Sequence, residues 1–328
     1  MTNMNYAWKG SEGANLRGDR EQEWADIPDE DFARLDAGTM QSETISRPSK
    51  SYWQDAWSRF RKDPLAMIGL CTIVVIAVAA IVGPLFSAYT YDGQDIANQN
   101  QGPSAEHWFG TDKFGRDIFV RALYGAQISL TIGVAAAAIN LVIGVIYGGI
   151  SGYLGGKVDM VMMRIVDIMI GVPELLYIIL LMMFLGNTIE SILIAMSLTY
   201  WIGTARMVRS QVITLKHQEF VLAARATGSS NMRILFKHLI PNSMGPIIVT
   251  VTFLVPSAIF TEAFLSFLGI GIQVPMASWG TLVNDAIPTL FTQPYQMLFP
   301  ALAISITMFA LNFIGDGLRD ALDPRLKK

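Results

Sequence analysis

Two carboxylates in this sequence stand where a carboxylate is costly. Glu174 follows Pro173 at the start of an apolar run, and Glu262 lies beyond Pro256 inside another. At membrane depth an ionised group must face protein, water or a counter-charge. The chemistry they suggest is a polar passage, with these groups meeting water, a base on another chain or an ammonium group. The plainer reading is a pair of helix-packing hydrogen bonders. A second cluster, Thr111, Asp112, Gly115, Arg116 and Asp117, combines both charge signs with turn-forming residues. It reads as a gate, or as a loop in which Asp and Arg satisfy one another.

Bond-making chemistry finds no support. Gly156-Lys157 is followed by Val158 where a phosphate-binding loop needs Ser or Thr, and Ser151 stands in the first glycine's place. Neither HExxH nor CxxC occurs. The histidines, His107, His217 and His238, are too far apart in sequence to suggest a metal cluster. The single cysteine, Cys71, cannot form an internal disulfide and reads as a small buried hydrophobe. No catalytic, cofactor-binding or metal-ligating residue is assigned, and an enzyme is not expected.

The elements that must position these groups are membrane helices. Of 328 residues 52% are apolar and only 16% charged, with a mean hydropathy of +0.40. A formal charge of −3 argues against a nucleic-acid surface. A spanning helix needs about 20 mostly apolar residues. Stretches at 65–88, 128–151, 165–186, 189–207, 246–270 and 297–316 qualify. Their connections carry most Lys and Arg on one side: Arg59, Arg61 and Lys62, then Lys157 and Arg164, then the run from Arg206 to Lys237, then Arg319 to Lys328. The opposite side has Lys113, Arg116 and Arg121. By the positive-inside rule both termini are cytoplasmic.

The third span is short. Its clean apolar run, Leu175 to Leu185, covers about half of a ~30 Å hydrocarbon core, and Gly186-Asn187-Thr188 blocks outward extension. Extension inward through Ile165 carries Glu174 to near the midplane. In the second span Gly144, Gly148, Gly152 and Gly156 recur every four residues, a stripe that permits close helix approach. Pro256 is expected to kink the fifth span.

Residues 1–50 are rich in Asp and Glu without apolar periodicity and read as a disordered cytoplasmic tail, not a signal peptide. Over 51–63, Trp53, Trp57 and Phe60 share a helical face ahead of Arg59, Arg61 and Lys62, the pattern of an amphipathic helix at the lipid interface. The first span and external loop follow over 64–127. The remaining spans and their connections occupy 128–316, and a short cytoplasmic tail 317–328.

Within that region the longest cytoplasmic connection, 209–245, holds a run of helix formers from Glu219 that stops at Gly228. A second short helix over 230–239 ends at Pro241. Such a helix–Gly–helix reads as a docking element whose small Ala223-Ala224 face fits a groove on a partner, or as a hairpin lying on the membrane.

Ala223-Ala224-x-x-x-Gly228 followed by Ile240-Pro241 resembles the coupling loop of ABC-importer permeases, with Leu222 and His238 departing from the general pattern. Gly110 to Asp117, Glu262 to Gly269 and Gly315 to Pro324 resemble the C-type (OppC/DppC-like) permease subunit of oligopeptide and dipeptide importers. The resemblance covers about residues 60–325. It implies an all-α type I importer fold with six spans, in the cytoplasmic membrane of a bacterium or archaeon. It also implies a B-type permease partner, two cytoplasmic ATPases that bind the ATP, an extracytoplasmic peptide-binding protein and a peptide substrate. Glu219, Ala223, Ala224, Arg225, Gly228 and Pro241 become the ATPase-coupling residues. The rival from another class is an ion-coupled secondary transporter, for which paired inverted repeats would be needed and are not seen. A membrane scaffold that tethers a partner is a third reading.

Overall fold

A computed structural model describes residues 51–273 and 275–323. The expected acidic tail over 1–50, and the last residues of the C-terminal tail, lie outside the described residues.

The chain starts with a short helix, α1 (Tyr52–Phe60), whose N-cap Ser51 and Gln54 form a reciprocal capping box. Phe60 is buried against Ala66 and Ala321, while Trp53 and Trp57 stay half exposed. Asp63 then caps α2 (Pro64–Phe86), with Pro64 at a position where its missing N–H costs nothing. Cys71 on α2 is exposed in this chain, contrary to the buried site expected. Lipid tails are as apolar as a protein interior, so hydropathy alone cannot distinguish a lipid-facing residue from a core residue.

Five helical stretches among the described residues are long and apolar enough to cross a membrane. They are α2, α3 (Ile118–Leu154), the joined pair α6 (Ile189–Thr199) and α7 (Trp201–Leu215), α11 (Met244–Phe267) and α13 (Tyr295–Leu322). The sixth is broken. Helices α4 (Gly156–Ile170) and α5 (Glu174–Leu185) meet at an angle of 81°. A straight span through Ile165 is therefore corrected to two segments joined at Gly171-Val172-Pro173. The sequence carries the cause: Pro173 donates no N–H, and the residue before a proline is pushed out of the helical region.

Helix α3 begins ten residues before the expected span, because Asp117 caps it by accepting from Val120 N at 2.8 Å. At 37 residues it is about 55 Å long, more than a bilayer core needs. Its glycine stripe is a seam against α7. A β-carbon on Gly148 would lie 2.2 Å from the Ala205 carbonyl oxygen, and one on Gly152 2.8 Å from that of Arg209. Gly144 is equally tight against Thr204, whereas Gly156 is off the seam, opening α4 with φ +55°. Helix α11 continues through Pro256.

After α7 come α8 (Glu219–Ala226), α9 (Asn231–Ile234), a π turn at Leu235–Leu239 and α10 (Ile240–Asn242). The second arm does not stop at Pro241: the proline enters at the start of α10, where the helical first turn tolerates it, and the chain turns at Ser243. Between α11 and α13 a short helix, α12 (Trp279–Asp285), is tied to α3 by the Trp279 indole N–H donating to the Ala122 carbonyl at 3.0 Å.

Candidate functional site

The groups singled out in the sequence fall into three separate places.

The external cluster forms a closed network. Asp112 accepts from the backbone N–H of Phe114 at 2.8 Å and of Arg116 at 3.0 Å, and from Arg116 Nε at 2.6 Å. Thr111 Oγ1 donates to the Asn98 carbonyl, and its backbone oxygen accepts from Gln296 at 3.0 Å. Gly115 has φ +71°, and a β-carbon there would sit 1.7 Å from the Asp95 carbonyl oxygen, so only glycine fits. Asp117 both caps α3 and pairs with His107 Nδ1 at 2.8 Å.

Two members of this network were not singled out in the sequence. Arg121 is fully buried, and Asp285 gathers Lys113, Arg116 and Arg121 at 3.4, 3.2 and 3.4 Å. A signal existed. Asp285 is the one charged residue between Glu262 and Asp316, and Arg121 interrupts an apolar helix. Isolated charges of opposite sign beside a membrane are natural partners. The local geometry is that of a loop whose acids and bases satisfy one another, pinned to the α12 end.

The two intramembrane carboxylates have different surroundings. Glu262 on α11 is fully buried and accepts from Ser129 Oγ at 3.0 Å and Ser266 Oγ at 2.8 Å. It knits α11 to α3, the work of a packing hydrogen bonder. Glu174 is exposed in this chain and is the first residue of α5, just after the break. Its carboxylate lies within interaction range of the Tyr200 hydroxyl at the α6–α7 junction. That hydroxyl shares a 2.6 Å hydrogen bond with Thr261 Oγ1 on α11. A polar line of Glu174, Tyr200 and Thr261 thus crosses three spans beside a helix break.

The third place is the helix pair between α7 and α11. Val221 is buried with Val208, Val212, Ile234 and Leu239, which anchors α8 to the bundle. Glu219, Leu222, Ala223 and Arg225 face outward, and Ala224 is half buried. Gly228 has φ +79° with nothing within 4 Å of a β-carbon, so the turn between the two arms is paid for by backbone conformation alone. Leu222, an apolar residue on this short helix, is 54% exposed. Pro241 lies apart from these, at the base of the second arm.

The described residues form a bundle of long apolar helices with a short helix pair between α7 and α11, and the class of protein follows from what this chain resembles. Residues 140–328 match the family described as binding-protein-dependent transport system inner membrane component, and residues 51–103 match the N-terminal TM domain of oligopeptide transport permease C. The oligopeptide transport system permease protein OppC of Bacillus subtilis is 54% identical over 92% of this chain and 99% of its own length. The dipeptide permease protein DppC of the same organism is 50% identical over 92% and 95%. OppC of Escherichia coli is 45% identical over 87% and 95%. In fold, the chain resembles a chain of the MetNI methionine ABC transporter in inward-facing conformations, with a TM-score of 0.52, 17% identity, and coverage of 63% of this chain and 96% of that one. The chain belongs to the binding-protein-dependent ABC-importer permeases, in the group that contains OppC and DppC. It is a multi-pass membrane permease subunit of the cell membrane and not itself a catalyst. The family offers no support for an ion-coupled secondary transporter.

Proposed function

We propose that this chain forms half of the translocation pathway of an ATP-driven importer for oligopeptides or dipeptides. The observation that carries the reading is the near full-length similarity to peptide permeases, joined to an outward-facing helix pair on a membrane bundle. Its partner in the membrane is a B-type permease, and two ATPase subunits supply the ATP-binding sites. An extracytoplasmic peptide-binding protein delivers the substrate at the end bearing Thr111–Asp117. Both termini lie in the cytoplasm of a bacterial or archaeal cell. The α8 residues Glu219, Ala223, Ala224 and Arg225, with Gly228 setting the turn and Pro241 its base, dock to an ATPase. Glu174 lines the passage, while Glu262 holds helices together.

The test is co-expression with a B-type permease, two ATPases and a peptide receptor from the same genome. A tagged copy is expected to retain the ATPases after solubilisation and to support ATP-dependent uptake of a labelled peptide in proteoliposomes. Retention of the ATPases without uptake of any peptide would overturn the substrate assignment, and failure to retain them would overturn the assembly.

A further inference from the structure

Helix α4 has a small apolar footprint on the bundle. Val166 is buried against Trp201, Ile202 and Ala205, and the rest of α4 is half buried or exposed. Both of its ends are breaks. At one, Gly155 and Gly156 take φ +66° and +55° in succession, and at the other stands the 81° turn that delivers Glu174. A segment with so small an apolar footprint between two such junctions needs other contacts to fix its orientation.

Those contacts are a hydrogen bond from the Tyr147 hydroxyl of α3 to the Met162 carbonyl at 2.8 Å and ion pairs to α7. Arg209 grips Asp159 in a two-pronged contact, Nε to Oδ1 at 2.5 Å and Nη2 to Oδ2 at 2.6 Å. Ser151 Oγ on α3 donates to the same carboxylate at 2.6 Å. This pair is largely shielded from solvent, with side-chain exposures of 32% for Arg209 and 16% for Asp159. Further along, Arg206 meets Asp167 at 2.6 Å, but both are 48% exposed, so this second bridge contributes little. Two-pronged guanidinium–carboxylate contacts fix orientation as well as proximity.

Helix α7 is in turn continuous with the docking element. It is locked to α3 through the glycine seam and through Lys216 Nζ, which donates to the Gly152 carbonyl at 3.0 Å. Only Lys216 to Gln218 separate it from α8, and Val221 of α8 is buried with Val208 and Val212 of α7.

Resting on the docking role of α8 proposed above, we propose that Asp159 and Arg209 are positioning residues that carry displacement of the docking helix into α4, and so set the angle of the broken span at Glu174. The α3–α7–α8 unit moves as one body, and the Asp159–Arg209 pair makes α4 follow it. Without the pair, α4 pivots at Gly155-Gly156 and the break no longer tracks the docking helix.

The test uses the complete importer in proteoliposomes, in a Cys71→Ala background. Spin labels go on cysteines at Met160 of α4 and Ser210 of α7, both exposed. The inter-label distance is expected to stay narrow and unchanged between nucleotide-free and ATP-trapped states. Asp159→Asn is expected to broaden it and to lower peptide transported per ATP hydrolysed by about fivefold or more, with ATPase binding and hydrolysis retained. If Asp159→Asn does not insert, Arg209→Lys, which keeps the charge but not the two-pronged contact, is read for the same ratio. A wild-type ratio, a wild-type distance distribution, or loss of ATPase binding in these variants would each overturn the proposal. Failure of the docking reading itself shows separately, as an Ala224→Arg variant that keeps the ATPases bound and transports at the wild-type rate.

Discussion

Arg121 and Asp285, far apart in sequence, meet at 3.4 Å where α3 and α12 come together. Arg121 is fully buried, donates also to the Tyr91 carbonyl at 3.0 Å, and has Asp112 at 3.8 Å. The contact closes the external loop over the bundle, because Asp285 also holds Arg116 and Lys113. The buried guanidinium costs the fold several kcal/mol in desolvation, and the acids around it offset that cost.

Removing one partner from such a cluster leaves an uncompensated charge. Asp285→Asn is expected to lower stability by about 3 kcal/mol, read as a fall in the melting temperature of the detergent-solubilised protein. The double variant Arg121→Met with Asp285→Leu is expected to recover part of that loss, since the buried Arg121 charge is gone and Arg116 keeps its pairing with Asp112. If Asp285→Asn melts with the wild type, the network contributes no stability.

The same closure decides what Arg116→Ala does. Arg116 is 4% exposed and occupied by Asp112 and Asp285. Basal and receptor-stimulated ATP hydrolysis of the importer are expected to fall together with folded yield. A selective loss of the receptor-stimulated rate, at normal yield, would instead make this arginine a receptor contact.

The glycine seam gives a comparison within one helix pair. Gly148→Ala forces a β-carbon against the Ala205 backbone, which cannot rotate away, and is expected to cost about 2 kcal/mol or more. Gly203→Ala, on α7, meets nothing within 4 Å and replaces a poor helix former, so a gain of up to about 1 kcal/mol is expected. Parallel unfolding curves for both variants check the pair. Equal effects would mean that α3 and α7 are not in tight contact.

That seam shows what was legible in the sequence. Small residues at four-residue spacing announce a close helix contact, and three of the four glycines make one. The partner was hidden, because Ala205 and Arg209 differ in no way that marks them as its other side. Asp117 was a readable cap, yet the start of α3 was placed too late: a hydropathy criterion passes over the Arg121 stretch, while hydrogen bonding does not. The break at Gly171–Pro173 was visible as composition, but its angle depends on what α4 and α5 pack against. The Asp112–Arg116 pairing was readable locally. Its anchorage to Asp285 was not, since long-range ion pairs leave no periodicity.

At the docking helix, the prediction concerns coupling with insertion preserved. Ala224→Arg places a long cation on the half-buried face between the outward residues and the Val221 core. Gly228→Val puts a branched side chain at φ +79°, which costs about 1–2 kcal/mol locally and misaims α8. Both variants are expected in the membrane at normal levels, with ATPase retention or uptake per ATP reduced about tenfold. Wild-type transport in either, with ATPases bound, would remove α8 as the docking element.

Glu174 and Glu262 are expected to part company under chemical labelling. Glu262 is enclosed by Ser129 and Ser266 hydroxyls, so Glu262→Gln, which keeps the size and an acceptor oxygen, is expected to fold and transport. A cysteine at 262 is expected to stay unreactive. Glu174 stands exposed at the first turn of α5, where the helix N-terminus favours negative charge, and Tyr200 beside it extends the polar surface to Thr261. A cysteine at 174 is expected to react with a small water-soluble thiol reagent, faster in one nucleotide state than in another. The experiment needs Cys71→Ala, because the native thiol is itself exposed. A cysteine at 174 that resists the reagent in every state while uptake continues would place Glu174 against the partner permease and not in the passage.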